Sequence, residues 1–271
     1  MAKAKGRPFL EILASALNED YRFPILEAFA FLYALGTFVL ANLSTMMSQT
    51  TATGEVAAYT LTTSLLGIPL FIFLILIFKN IAYGLGSDIE KGVIQTLFSY
   101  PLKRRSILSA KLLSALGFSL VLFFSIQVSA LYIIAPGIVM PYLGTVLLTY
   151  AASLSFPLFV AGLILLVTLV LRRGGIALVA GIMLYFAMSI VQGLLSYVAY
   201  ATNSILGLQI ISVLSPNVAL GTYYRILESS PLGQPWTPSF TEVLGYVGAS
   251  YAIVVLVFLL GYAYFTRRMN L

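Results

Sequence analysis

Long apolar runs separated by short polar connections set the pattern of the chain. The runs fall at about 25–45, 61–79, 112–135, 143–171, 175–199 and 244–266. Each is long enough to cross a hydrocarbon core about 30 Å thick as a helix. Six spans place both termini on the same side. The connection 46–60 is rich in Thr and Ser, 136–142 is a tight Pro/Gly link, and only about 200–243 is long. That segment holds a weakly apolar stretch, Ile205 to Leu214, then Ser215-Pro216-Asn217, then Pro231, Pro235, Trp236 and Pro238. Its first part is expected to dip into the bilayer as a re-entrant element packed on protein, while Trp236, Tyr223 and Tyr224 suit a membrane interface. A gate and a dispensable loop both remain open for this segment. Pro69 and Pro157 fall inside the second and fourth runs, where kinks are expected.

Ahead of the first run, Phe9, Leu10, Leu13 and Leu17 recur at helical spacing, with Glu11, Ser15 and Asn18 on another side. This is the pattern of an interfacial helix lying on the membrane; a frayed basic tail is the alternative. Lys3, Lys5 and Arg7 resemble the start of a signal peptide, but Glu11 and the Asn18-Glu19-Asp20 run break the apolar stretch, so cleavage is not expected.

Composition turns these runs into a class. The 271 residues are 60% hydrophobic and 9% charged, with mean hydropathy +1.00, against about a quarter charged in soluble domains. The expected fold is an all-α polytopic membrane protein: one domain of six transmembrane helices, an N-terminal interfacial helix and a further helix in the first cytoplasmic loop. With neither Cys nor His, thiol chemistry, disulfides and the commonest zinc ligands are excluded. A net charge of +6 could suggest a nucleic-acid partner, but 14 of the 15 Lys and Arg residues lie on one side of the predicted spans and only Arg225 on the other. That asymmetry marks cytoplasmic segments, puts both termini in the cytoplasm and accounts for the basicity without nucleic acid.

Few polar groups enter the spans. Glu27 lies near the cytoplasmic end of the first, where Arg22 or Lys79 is expected to pair with it; a role in binding a proton or substrate is the alternative. Gln127 and Gln192 sit at membrane depth and either join helices or line a translocation path. No G-x-x-x-x-G-K-[ST] loop occurs, so ATP cannot be bound in the P-loop manner.

The most informative stretch runs from Ser87 to Lys111, SDIEKGVIQTLFSYPLKRRSILSAK. Ser87 and Glu90 form an S-x-x-E capping box, which predicts a helix over about 87–100 that Pro101 ends. At about 100° per residue, Ile89, Val93, Ile94, Leu97 and Phe98 occupy one half of the wheel and Asp88, Lys91, Gln95 and Ser99 the other. Lys103, Arg104 and Arg105 follow its C-terminal end, where they complement the dipole and can reach anionic lipid.

These residues resemble the signature of the ABC type-2 permease family, the membrane subunits of ATP-driven exporters. Asp88 and Glu90 match its acidic positions, Gly92 its Gly, Leu97 its Leu-rich turn and Pro101 its Pro. Arg104 or Arg105 matches its Arg, Ile107 its aliphatic position, and Ala110-Lys111 its small-Lys pair; Val93 replaces the usual Thr after Gly. The six spans, cytoplasmic termini and long outer segment before the last span extend the likeness to the whole chain. The resemblance implies a homo- or heterodimer of permeases bound to two separate ATPase subunits that carry the ATP and Mg, with no cofactor in this chain. It implies that the first-loop helix couples the ATPase to the spans, with Asp88, Glu90, Gly92, Ile94, Leu97, Phe98, Pro101, Arg104 and Arg105 at the coupling site. It also implies that the second and fifth spans line the path between the permeases.

An ion-coupled secondary transporter would show inverted repeats, broken mid-membrane helices and coupling carboxylates, none of which is evident. An intramembrane enzyme would need acids, nucleophiles or metal ligands that the spans lack. The substrate is open; the apolar walls imply only a largely non-polar path.

Overall fold

The computed structural model describes residues 8–47, 54–99, 103–228 and 235–267. The expectations for Pro101 and for the basic Lys3, Lys5, Arg7 and Arg268 lie outside these residues. All regular structure among them is helical. In chain order the helices are α1 (Pro8–Asp20), α2 (Ile25–Met47), α3 (Glu55–Glu90), α4 (Val93–Ser99), α5 (Arg104–Ile134) and α6 (Pro136–Val139). They continue with α7 (Leu143–Leu171), α8 (Gly174–Ala201), α9 (Ile205–Leu214), α10 (Asn217–Glu228) and α11 (Phe240–Arg267).

Five of these, α3, α5, α7, α8 and α11, are long and apolar enough to cross a membrane. The bent pair α1–α2, with 65° between its halves, makes up to six. The lengths and the composition are those of a multi-pass membrane protein. At 1.5 Å per residue, the 36 residues of α3 span about 54 Å, far more than a hydrocarbon core. It packs on α2, α5, α7 and α8, and Leu65, Phe73, Leu76 and Ile77 on it are fully buried. Winding is π over Phe78–Leu85 in α3 and over Leu113–Phe118 in α5. Pro69 and Pro157 sit inside unbroken helices, so neither ends its span.

The apolar face of α1 is used on protein. Ile12 and Ala16 are buried, Phe9, Leu13 and Leu17 pack against the core, and the whole helix leans on α5, whereas Leu10 faces out. At the opposite end, α9 and α10 fold back over the bundle and enclose a second core of Leu208, Ile211, Leu220, Tyr224, Trp236 and Val243. Ten residues of α9 cover about 15 Å, too short to cross. Trp236 is buried edge-on against Tyr246, 5.7 Å away, instead of standing at an exposed interface position.

By contrast, α8 turns outward: Ile176, Val179, Met183, Phe186, Ile190, Leu194 and Tyr197 are all exposed. An apolar helix face left bare inside a membrane protein meets lipid or another chain.

Candidate functional site

The polar residues of one end of the bundle do not scatter over it; they form two junctions. The first centres on Lys111 in α5. Its ammonium lies 2.7 Å from Asp88 of α3 and 2.8 Å from Glu19 of α1. Lys111 and Asp88 are nearly buried and Glu19 is more than half exposed. One turn further along α5, the Ser114 hydroxyl donates to Asp20 at 2.6 Å. The Tyr21 hydroxyl donates to the Ser114 carbonyl at 3.1 Å, shares a hydrogen bond with Ser119 at 2.9 Å and accepts one from Asn80 at 3.0 Å. Lys79 donates to the backbone carbonyl of Asp20. Three elements distant in sequence are thereby locked together.

The second junction joins the end of α3 to the start of α8. The Glu90 carboxylate accepts the Gly174 N–H at 3.0 Å, satisfying a backbone donor that a helix start leaves open. Gly174 is required there by close approach: a Cβ would meet the Ser87 Oγ at 2.5 Å, the Ser87 N at 2.8 Å and the Tyr83 O at 2.9 Å. Immediately beyond, Gly92 takes φ +77°, the left-handed conformation that closes a helix C-terminus. The Gly92 N–H donates to the Ile89 carbonyl at 3.2 Å.

This geometry corrects the expected helix over 87–100. Ser87 is not an N-cap, because helical winding reaches it unbroken from Glu55 through the π-wound stretch. A capping box requires a non-helical first residue. Asp88 and Glu90 thus belong to the last turn of α3, Gly92 is its stop, and a separate short helix, α4, begins at Val93.

The predicted apolar half is met only in part: Ile94, Leu97 and Phe98 turn inward, whereas Val93 is exposed and Asp88, expected on the polar half, is buried. Ile94 is fully buried, and Leu97 and Phe98 are half-buried against the bundle. The Phe98 ring meets Phe265 of α11 edge-on at 5.9 Å, and the Arg104 guanidinium stands 4.7 Å over the same ring. Left exposed are Glu90, Lys91, Val93, Gln95 and Thr96, with Lys103, Arg104 and Arg105 beside them.

The remaining candidates separate. Gln127 is fully buried, donating to Thr37 at 2.7 Å and accepting from Tyr150 at 3.2 Å, so it ties α2, α5 and α7 together. Gln192 is half-buried on α8, bordering a small apolar cavity of about 40 Å³ with Phe156, Met188 and Ile211. Glu27 is exposed, and among the described residues neither of its expected partners, Arg22 and Lys79, forms an ion pair with it; Lys79 serves Asp20. Glu19, Asp20, Tyr21, Lys79, Asn80 and Gly174 escaped sequence reasoning as site residues. The adjacent polar pair Lys79-Asn80 at the end of an apolar run was the one local signal available. Among the described residues, no group of three or more Asp, Glu, His or Cys could hold a metal. Neither a protein-family model nor a curated protein matches the chain.

Proposed function

We propose that this chain is the membrane-spanning permease subunit of an ABC-type exporter. Two copies, or one copy and a related permease, pair with two ATPase subunits that bind ATP and Mg, and both termini lie in the cytoplasm. The bent pair α1–α2 then supplies the first of six spans, and the end of the bundle bearing Lys111 faces the ATPase. The observation that carries the reading is mutual bonding within the motif. Asp88 and Lys111, its acidic and terminal Lys positions, lie 2.7 Å apart, and Glu90 fastens the same turn to the first residue of the fifth span, α8. A push on this loop is delivered to α8 through a hydrogen bond and a glycine contact instead of a flexible link. The outward apolar face of α8, with Gln192 on it, fits a helix that meets the second permease and the path between them.

The packing also moves the ATPase contact. Ile94, Leu97 and Phe98 are used within the subunit, so docking falls to the exposed Lys91, Val93, Gln95 and Thr96. Co-expression with candidate ATPases and pull-down provides the test. Gln95→Asp and Val93→Asp should leave the chain folded and abolish recovery of the ATPase, whereas Leu97→Asp should lower accumulation of the chain itself. Full recovery of the ATPase by both surface variants would remove the coupling role from α4, and robust ATP hydrolysis by the purified chain alone would sink the permease reading.

A further inference from the structure

At the end of the bundle opposite Lys111, a cavity of about 360 Å³ opens between the start of α3, the α6–α7 connection, α10 and the start of α11. Its volume falls within the roughly 300–1,000 Å³ of small-molecule sites. Glu55 is the single charged residue among those lining it, and Tyr142, Tyr224 and Phe240 supply aromatic rings. The Tyr224 ring is fixed on two sides. Tyr59 stacks on it at 4.5 Å with 18° between planes, and its hydroxyl donates to Thr145 at 3.3 Å. Phe240 is held near Tyr223 at 6.0 Å.

A lone carboxylate in the first turn of α3 would by itself be no more than a complement to the helix dipole. The aromatic lining changes what the cavity can hold. Anions are opposed by Glu55 and by the negative faces of the rings, and a neutral apolar ligand gains nothing from the carboxylate. An alkylated ammonium satisfies both: its charge pairs with Glu55, and its methyl groups lie against ring faces that attract cations. We propose that this cavity is a binding site for a quaternary or alkylated ammonium group, with Glu55 as counter-ion and Tyr142, Tyr224 and Phe240 as walls. The group is carried either by a free organic cation or by a choline-type lipid headgroup. The proposal does not depend on the permease reading, since it requires neither an ATPase nor transport.

The test uses the full chain in dodecyl maltoside micelles, titrated with choline, with its uncharged isostere 3,3-dimethylbutan-1-ol, and with a short-chain phosphatidylcholine, and followed by saturation-transfer NMR. Choline should bind and the isostere should not. Glu55→Gln and Tyr142→Leu should each weaken choline about threefold to fivefold, while Tyr142→Phe keeps the ring and the affinity. Glu27→Gln, at the other end of the molecule, controls for net charge, and gel filtration checks that each variant remains folded. Binding of the phosphatidylcholine alone, with the same dependence on Glu55 and Tyr142, would assign the site to a headgroup and still support the proposal. Equal binding of choline and its isostere, no saturable binding of either cation, or indifference to Glu55→Gln would overturn it.

Discussion

Replacing Lys111 by Met leaves the Asp88 carboxyl nearly buried and without its counter-charge. The Lys111 and Asp88 side chains are 12% and 7% exposed, so water cannot take over the role of the ammonium. Removing one partner of such a pair costs about 3–5 kcal/mol, much of it the stranding of the other charge. The second pair of Lys111 behaves differently. Glu19 is 55% exposed, its charge is screened, and Glu19→Gln should cost no more than about 1 kcal/mol. Replacing both buried partners, as Lys111→Met with Asp88→Leu, removes the stranded charge and should recover most of the loss, since an apolar pair of similar size is often as stable. Unfolding of the purified chain by sodium dodecyl sulfate in mixed micelles gives the energies, followed by the emission of Trp236, the one tryptophan of the chain. Wild type, Lys111→Met, Asp88→Leu and the double variant close a double-mutant cycle whose coupling should reach several kcal/mol. Single and double variants of equal stability, or a Glu19→Gln loss as large as that of Lys111→Met, would refute the reasoning and make the junction a surface contact.

Gly174→Ala should destabilise the same preparation by about 1–3 kcal/mol through overpacking against Ser87 and Tyr83; Gly175→Ala, with open space around it, should be neutral or gain up to about 1 kcal/mol of helix propensity. A larger loss at Gly175 would contradict the crossing described. Gln127→Leu should cost about 1–3 kcal/mol by orphaning the buried Tyr150 hydroxyl and Thr37; Gln192→Leu should change stability little, so thermal midpoints rank the two. Because the chain contains no Cys, Lys103→Cys and Thr241→Cys can be labelled with an impermeant thiol reagent on intact cells. Only Thr241→Cys should react, and labelling of Lys103→Cys would reverse the orientation.

Much of the helical layout was legible because hydrophobic runs of span length leave a helix few alternatives in lipid. The predicted 143–171 and 175–199 correspond to Leu143–Leu171 and Gly174–Ala201. The inward side of Ile94, Leu97 and Phe98 was also legible, since it reflects burial on one side, although Val93, expected with them, is exposed. Readings that depended on what lies ahead of a residue failed. Ser87 and Glu90 have capping-box spacing, but the π-wound stretch from Phe78 keeps Ser87 helical, and no local pattern announces that. Glu90 was placed at an acidic position of the motif, but its partner, the N–H of Gly174, lies 84 residues away and no local pattern points to it. Likewise Lys111 could be placed in a motif from sequence, but its bonds to Glu19 and Asp88 are 92 and 23 residues distant and arise only when α1, α3 and α5 assemble.

The π-wound stretch of α3 has a consequence for how that helix can be altered. A π turn holds about one residue more than an α turn, so every side chain beyond it is set back by about 100° around the axis. Phe78–Leu85 therefore acts as a phase shifter. Ahead of it, α3 is indexed to its neighbours in the bundle; behind it, the helix is indexed to Lys111 and Gly174. Rewinding the stretch as even α-helix at unchanged length would keep the span intact, yet it would swing Asp88 and Glu90 about 100° off both partners. Deleting one residue within it at the same time would bring them back, so a single extra residue holds the loop in register with the span.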